Sequence, residues 1–351
     1  MNTFRRRLDL RLDDGAAQLF PGYFALVMAT GAAAIDTYVL GMPSLAWLLA
    51  FLGTFAYAGL WLLTLLRAMR YPMLLVGDLN DHARGPGFFT LVAATGILGT
   101  QWLLIAQATM AAQLLWLLAI GLWLAVMYGF FIAVIVQPDK PALEHGINGA
   151  WLLATVSTQS IAVLTALLPW PESLIEPALF FALCMFLLGC ALYLIIITLI
   201  VYRLVFLRLS SAALTPPYWI NMGAVAITTL AGSTLILRAG PDTLLAEFVP
   251  FLKGFTLLFW AMASWWIPLL VGLSLWRYLV RRYPLRYDAQ LWGMVFPLGM
   301  YTTGTLSLAE ALDIGFLRVI PQVTVWLALA AWSAVGLAML HHWRHSTPGN
   351  P

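Results

Sequence analysis

The stretch PGYFALVMATG at residues 21–31 recurs as PGFFTLVAATG at residues 86–96, with eight of eleven positions identical. The two copies begin 65 residues apart, enough for two membrane-spanning helices and their connections. Segments of similar composition begin near residues 147, 217 and 290. Repeats at a fixed period indicate repeated structural units. The sequence therefore predicts one helical hairpin repeated five times in the same orientation, arranged as a ring around an axis.

The chain around these repeats is too apolar for a soluble protein. Of its 351 residues, 62% are hydrophobic and 9% are charged, and the mean hydropathy is +0.89. Such a composition is typical of membrane proteins. It predicts an all-α membrane protein and leaves no room for a folded soluble domain.

Ten apolar runs are bounded by proline, glycine and charged residues. They predict a ten-helix transmembrane domain at residues 20–340, between cytoplasmic segments at 1–19 and 341–351. The runs fall at about residues 20–36, 43–66, 87–106, 111–136, 147–168, 175–201, 216–237, 249–276, 290–312 and 319–340.

Positive charges test this count, because lysine and arginine accumulate in cytoplasmic loops. With ten spans, 15 of the 18 lysines and arginines face one side; Arg238, Lys253 and Arg318 face the other. This asymmetry predicts a multi-pass protein of the cell membrane with both termini in the cytoplasm. Arginines near the start of the chain are interleaved with aspartates, so we expect no nucleic-acid partner.

The ten runs alternate in composition. Even-numbered runs are rich in Leu, Trp and Phe, as in LAWLLAFLGTFAYAGLWLLTLL, whereas odd-numbered runs are rich in Gly, Ala, Ser and Thr, as in TLVAATGILGTQ. Small residues allow helices to approach closely or line an aqueous path, and bulky apolar residues suit contact with lipid. We therefore predict five odd helices around a central pore and five even helices facing the lipid bilayer.

Small and polar residues recur at helical spacing along the odd runs and are candidate pore-lining residues. The candidates are Thr30, Thr95, Thr155, Thr158, Thr229, Ser233, Gly299 and Thr303. Helix packing is the alternative explanation for these stripes. The middle of the odd runs lacks ionisable residues, which argues against a proton pump or cation channel and fits weakly held anions.

Charged residues near the predicted outer ends of the spans are further candidates. Arg238 and Lys253 break the charge asymmetry and predict an anion entrance, although snorkelling to the interface would also explain them. Asp36 and Glu310 are possible proton sites of a coupled transporter, or simply interfacial residues. The sequence predicts no metal site, no cofactor and no catalytic nucleophile, and therefore no enzyme.

The stretch WGMVFPLG at residues 292–299 carries the most specific signal. Pro297 lies inside the ninth run, where proline frees a backbone carbonyl and kinks the helix. Phe296 places a large ring on a face otherwise made of Gly, Thr and Ser. The pair predicts a gate in which the ring plugs the path.

The whole chain resembles the tellurite-resistance/dicarboxylate transporter (TDT) family, through FPGYFA at 20–25, PPYW at 216–219 and the Phe-Pro pair. Its relatives include the bacterial tellurite-resistance membrane protein, fungal malate permeases and sulfite exporters, and the plant guard-cell slow anion channel. The resemblance implies ten helices as five tandem hairpins, a pore lined by odd helices, a homotrimer, and an occluding phenylalanine that matches Phe296. The family's pore helices often carry prolines; here Thr30-Gly31 and Thr95-Gly96 stand in the first and third runs.

Together these features predict transport of small anions. C4-dicarboxylates such as malate are the first candidates, followed by chloride, nitrate, sulfite and tellurite-related oxyanions. The alternatives are a proton-coupled dicarboxylate symporter, in which Asp36 or Glu310 would titrate, and an oxyanion exporter. An intramembrane enzyme and a purely structural scaffold are more distant alternatives, because the sequence offers no reactive constellation.

Overall fold

The computed structural model describes residues 13–241 and 243–345, and no β-strand occurs among them. This confirms the predicted all-α class. The arginines at residues 5–11 and the last part of the predicted tail, residues 346–351, lie outside the described residues.

Ten helices of 15 residues or more run through the described part of the chain, and we label them α1 to α10. They are α1 Ala25–Val39, α2 Pro43–Arg70, α3 Phe89–Ala106, α4 Thr109–Val136, α5 Leu153–Leu167, α6 Glu172–Phe206, α7 Ile220–Arg238, α8 Leu245–Leu275, α9 Trp292–Ala311 and α10 Val319–His345. Two short helices, Pro72–Asn80 and Leu143–Gly146, lie in the connections, and a π-helical turn, Trp276–Val280, extends α8.

Taken together with the short turns that precede or follow some of them, nine of these helices are long and apolar enough to cross a membrane, counted over the described residues. The protein is therefore a multi-pass membrane protein. The helix outside this count is α9, whose hydropathy is lowered by one proline, three glycines and three threonines.

Each odd-numbered helix is preceded by a short 3-10 turn. The turns are Pro21–Phe24, Gly85–Phe88, Gly149–Leu152, Pro216–Trp219 and Ala289–Leu291. Each turn contacts two others, so that the five close a circle, which we call the turn ring. A Cβ atom added to Gly87 would lie 2.7 Å from the backbone nitrogen of Gly22, and one added to Gly149 would lie 2.3 Å from the carbonyl oxygen of Pro217. Glycine is needed where the turns touch.

The odd helices form a second circle, the inner ring. Contacts run from α1 to α3, α5, α7 and α9 in turn, and α9 contacts α1 again. In the most apolar stretches of α1, α3, α5 and α7, 78–94% of the residues are buried, against 22–44% in the even helices. In α9, 15 of 20 residues are buried. The alternation of small and bulky runs thus becomes an alternation of inner and outer helices.

Each even helix packs against the odd helix that precedes it. Several even helices extend beyond their predicted apolar runs, to Arg70 in α2, Phe206 in α6 and His345 in α10, so that part of the predicted tail is helical. The apolar runs ended too early because the last turns carry arginine or histidine, which helices tolerate well near their C-termini.

Two of these arginines are buried and anchor an outer helix to its own inner helix. Arg67 of α2 donates a hydrogen bond to the carbonyl of Leu19, two residues before the first turn of the ring. Arg203 of α6 donates to the carbonyl of Ile147, two residues before the third turn, and to the hydroxyl of Tyr218. The same tie therefore occurs in two hairpins.

We expect Gly87→Ala to destabilise the protein by about 1–3 kcal/mol, because its Cβ would collide with backbone that cannot move without opening the turn ring. Thermal unfolding of the purified protein, followed by tryptophan fluorescence, measures this. Gly121→Ala in α4 is the control, since no atom lies within 4 Å of its added Cβ. Equal melting temperatures of the two variants would contradict the close packing of the turn ring.

Candidate functional site

Two cavities lie on the axis of the inner ring, because each is lined by all five odd helices or their turns. The turn-side cavity, next to the turn ring, is lined by residues that include Ala25, Thr90, Leu153, Ile220, Gln290 and Phe296. The far cavity is lined by residues that include Ile35, Thr100, Ser160, Val163, Ile227 and Met300. Each has room for about one water molecule.

Phe296 lies where the turn-side cavity ends. Among the residues of α9 that line this cavity it is the farthest along the helix, and Met300, one turn later, lines the far cavity. The Phe296 side chain is completely buried. Phe296 therefore lines the turn-side cavity, and Met300, one helical turn later, lines the far cavity.

The walls of both cavities are mainly apolar. None of the described residues lining them is Asp, Glu, Lys, Arg or His. The hydroxyl of Thr90 donates to the carbonyl of Gly87 in the turn before α3, at 2.7 Å. Those of Thr100 and Ser160 donate to carbonyls of their own helices, at 3.0 and 2.7 Å. Because these protons are already used, a solute on the axis meets alkyl groups and few hydrogen-bond donors.

The turn-side cavity is surrounded by five helix beginnings. Residues of all five turns or of the first turn of the helices behind them line it. A helix N-terminus carries a partial positive charge. Some N–H groups of these turns are already bonded, as at Ala150 and Gln290, which donate to the side chains of Asn148 and Asp288. Five N-termini around one cavity favour an anion over a cation there, without any formally charged side chain.

Three of the predicted pore-lining threonines bind outer helices instead of facing the cavities. The pairs are Tyr57–Thr95 at 2.7 Å, Trp123–Thr158 at 2.9 Å and Trp332–Thr30 at 2.9 Å. Polar groups of α2, α4 and α10 need a partner inside a bilayer, where water is absent. The inner helices supply that partner from their polar stripes.

Gly299 and Thr303 of α9 face α1. Thr303 donates a hydrogen bond to Asp36, and a Cβ added to Gly299 would lie 2.9 Å from the Cβ of Ala32. Asp36 is completely buried between the helices. Its Oδ2 atom has no hydrogen-bond partner among the described residues. The contact between α1 and α9 therefore contains a carboxyl group of which only one oxygen accepts a hydrogen bond.

The other three candidate pore-lining residues are buried in α5 and α7 and do not line the axial cavities either. Thr229 donates to the carbonyl of Val225, at 2.8 Å. The hydroxyls of Thr155 and Ser233 have no hydrogen-bond partner among the described residues. They remain polar atoms between helices.

The charged candidates lie away from the axis. Arg238 is exposed and donates to the carbonyl of Leu167, at the end of α5, at 2.7 Å. Lys253 lies on the exposed face of the outer helix α8, next to the buried Leu252. Glu310 is exposed near the end of α9. The structure does not bring these residues to either axial cavity.

The comparison with known proteins identifies the family. Residues 18–340 match the family described as voltage-dependent anion channel (SLAC1). The chain belongs to this family. The match covers nearly the whole chain and confirms the resemblance to the TDT family.

Relatives of this anion-channel family member agree with that assignment. An uncharacterised transporter of Methanocaldococcus jannaschii is 23% identical over 326 residues, which cover 88% of this chain and 90% of the relative. An uncharacterised membrane protein of Mycobacterium tuberculosis is 43% identical over 152 residues, which cover 43% of this chain and 76% of the relative. These names describe transport and membrane proteins, not a class of enzyme.

Sequence reasoning missed most of the residues that line the cavities of this channel-family protein. Ile35, Ile97, Ile227 and Met300 belong to apolar stripes that alternate with the polar stripes on the same helices. The sequence favours the polar stripes as pore lining, because a water-filled channel would need polar residues along its wall. The tryptophans of the even runs are the signal that the polar stripes face outwards. Each indole N–H needs an acceptor, and a neighbouring inner helix can supply it.

We expect the Tyr57–Thr95 hydrogen bond to stabilise the protein by about 0.6–1.7 kcal/mol, as polar contacts between membrane helices do. A double-mutant cycle of Tyr57→Phe and Thr95→Val, followed by unfolding in detergent, measures this coupling. Thr64→Val replaces Thr95→Val in the control cycle, because Thr64 bonds only the carbonyl of Leu60 in its own helix. Additivity in both cycles would show that the pair does not interact.

Proposed function

We propose that the protein conducts small anions across the membrane along the axis of the inner ring. The observation that carries this proposal is the pair of axial cavities lined by all five odd helices, one of them surrounded by five helix N-termini. The family match and the transporter relative support anion transport in general.

In this proposal all ten long helices cross the membrane, within residues 20–340. Helix α9 completes the inner ring between α7 and α1, so that protein surrounds most of its polar surface. We propose that the turn ring and both termini lie on the cytoplasmic side of the cell membrane, because most lysines and arginines belong to that side. The homotrimer implied by the resemblance is part of the proposal, and the mass of the detergent-solubilised protein tests it.

Small inorganic anions fit this axis better than C4-dicarboxylates such as malate. Each cavity has room for about one water molecule. A dicarboxylate binds well where paired cationic side chains meet both carboxylates, and the described lining residues include no lysine or arginine. We propose chloride and nitrate as the first substrates, with sulfite and tellurite-type oxyanions and then malate behind them.

Phe296 is the proposed gate, and Pro297 the point at which α9 bends to release it. Proline removes one helical hydrogen bond and weakens the helix at that position. Gly223 of α7 leaves space for the proline ring, since an added Cβ there would lie 2.7 Å from its Cγ. A rotation of the Phe296 ring or a change in the bend would connect the two cavities. Weak binding on both sides then lets the anion leave.

We expect Phe296→Ala to raise chloride current by about tenfold or more, which corresponds to a barrier lower by roughly 1.4 kcal/mol. Voltage-clamped bilayers containing the purified protein measure this, with chloride, nitrate and malate compared in turn. Phe89→Ala is the matched control. Phe89 is also a completely buried phenylalanine on an inner helix, but it packs against Phe130 of α4, with ring centroids 5.7 Å apart.

A Phe296→Ala protein that is folded and carries the wild-type current, or less, would contradict the gate. Equal increases in the Phe296→Ala and Phe89→Ala proteins would show that loosened packing, and not an opened axis, raises the current. Substrate preference is read from the same recordings, since malate currents above those of chloride would reverse the proposed order.

A second candidate function, proton-coupled anion transport, is favoured by Asp36. This carboxyl group is completely buried between α1 and α9, receives one hydrogen bond from Thr303 and leaves Oδ2 without a partner among the described residues. Ionisable groups buried in membrane helices often belong to proton paths. The cavity walls, however, do not include Asp36, so we rank coupling second.

We expect Asp36→Asn to leave chloride flux within about twofold of the wild type, because a passive path needs no titrating carboxyl group. Uptake of radioactive chloride into liposomes, with an inward proton gradient and the voltage clamped to zero by potassium and valinomycin, measures this. Thr303→Val is measured in the same assay, because it removes the hydrogen bond to Asp36 and keeps the carboxyl group. If wild-type uptake requires the gradient and Asp36→Asn abolishes it, the protein is a coupled carrier.

A further inference from the structure

A third cavity lies away from the axis, at the end of α8, and contains a buried arginine. Its lining includes Arg277 and Tyr278 of the π-helical turn, Ser274 of α8, and Leu214 and Thr215 just before the turn Pro216–Trp219. The Arg277 residue is 6% exposed. Its Nε and Nη1 atoms have no hydrogen-bond partner among residues 13–241 and 243–345.

The two other buried arginines at the ends of outer helices show what is unusual here. Arg67 and Arg203 each donate to the carbonyl two residues before the turn of their own hairpin. The corresponding residue in the fourth hairpin is Leu214, which lines the cavity of Arg277 but receives no hydrogen bond from it. The guanidinium group of Arg277 therefore does not occupy the position that Arg67 and Arg203 occupy in their hairpins.

The local backbone accounts for this difference. The end of α8 is a π-helical turn, and such turns are wider than an α-helix and occur often at functional sites. The guanidinium carbon of Arg277 lies 4.2 Å from the ring centroid of Tyr283 and 5.2 Å from that of Tyr278. Aromatic faces stabilise a cation but leave its N–H groups unpaired.

The surroundings of Arg277 favour a negative ligand. The described residues that line the cavity include no carboxylate. Residues 276–287 contain four arginines and no acidic residue. The Ser274 hydroxyl accepts a hydrogen bond from Trp219 at 3.2 Å, which leaves its own proton free to donate. A buried cation whose N–H groups lack hydrogen-bond partners destabilises the fold, and an anion in the cavity would offset that cost.

We propose that the cavity of Arg277 binds an anionic group through the guanidinium N–H groups and the hydroxyl of Ser274. The cavity has room for about one water molecule, which suits a halide ion or one oxygen of a phosphate group. A free anion and the headgroup of an anionic lipid present the same chemistry. The site is distinct from the axial cavities, because none of its lining residues, including Met294 of α9, lines either of them.

The test is the thermal stability of the purified full-length protein in lipid-free detergent. Sodium chloride and sodium phosphate are titrated against sodium gluconate at constant ionic strength. We expect a saturable rise in melting temperature of about 3 °C or more in the wild type. Arg277→Gln should abolish this rise. Arg281→Gln is the matched control, because it removes the same charge from an exposed position in the same segment and should keep the rise.

A second arm identifies the source of the anionic group. The same variants are measured in nanodiscs of phosphatidylcholine with and without phosphatidylglycerol. If inorganic anions stabilise the protein through Arg277, the ligand is a free ion. If phosphatidylglycerol alone does so, the ligand is a lipid headgroup. Stabilisation by neither, or an equal rise in the wild type and Arg277→Gln, overturns the proposal.

Ser274→Ala keeps the test decisive if Arg277→Gln does not fold. This variant retains the arginine and loses one hydrogen-bond donor, so the half-saturating anion concentration should rise by roughly fivefold. An unchanged half-saturating concentration would show that Ser274 does not bind the anion. If Arg277→Gln also fails to fold, this result counts against the proposal. Because these measurements follow binding and not current, their outcome is independent of whether the axis conducts.

Discussion

Close approach of backbones between neighbouring hairpins is the constraint on which this bundle depends. At the turn ring, Gly87 and Gly149 leave no space for a side chain. A Cβ added to Gly304 of α9 would lie 2.7 Å from the carbonyl oxygen of Ala226 in α7. Dispersion forces between such surfaces drive helix association in lipid. Once five helices pack this tightly in a circle, their N-termini converge on the turn-side cavity.

A second constraint decides which side of each inner helix faces the axis. Inside a bilayer, a tryptophan or tyrosine of an outer helix needs a protein partner for its polar atom. Thr30, Thr95 and Thr158 supply those partners and are turned outwards. The far cavity is lined by isoleucine, valine, leucine and methionine, and by hydroxyls that already bond their own helices. For the proposed anion path, such walls mean weak binding and fast release.

The sequence alone could predict the class, the repeat, the alternation of inner and outer helices and the family. These properties depend on composition and period, which are local. It could not predict which side of an inner helix faces the axis. That rotation depends on tryptophans of another helix, which need a polar partner on the inner helix. It also could not show that Asp36 meets Thr303, which lies 267 positions later in the chain. The Phe-Pro pair is a local signal, so the sequence can single out Phe296, and its role as a gate stays a prediction.

The ties of Arg67 to Leu19 and of Arg203 to Ile147 have a consequence for biogenesis. These bonds join residues 48 and 56 positions apart, so each hairpin can be completed soon after it leaves the ribosome. The contact of α9 with α1, by contrast, waits for almost the whole chain. The first hairpins would enter the bilayer as self-contained units, with the polar side of α1, including Asp36, uncovered until the last hairpin arrives. During that interval, a membrane chaperone that shields polar helix surfaces would be of most use to this protein.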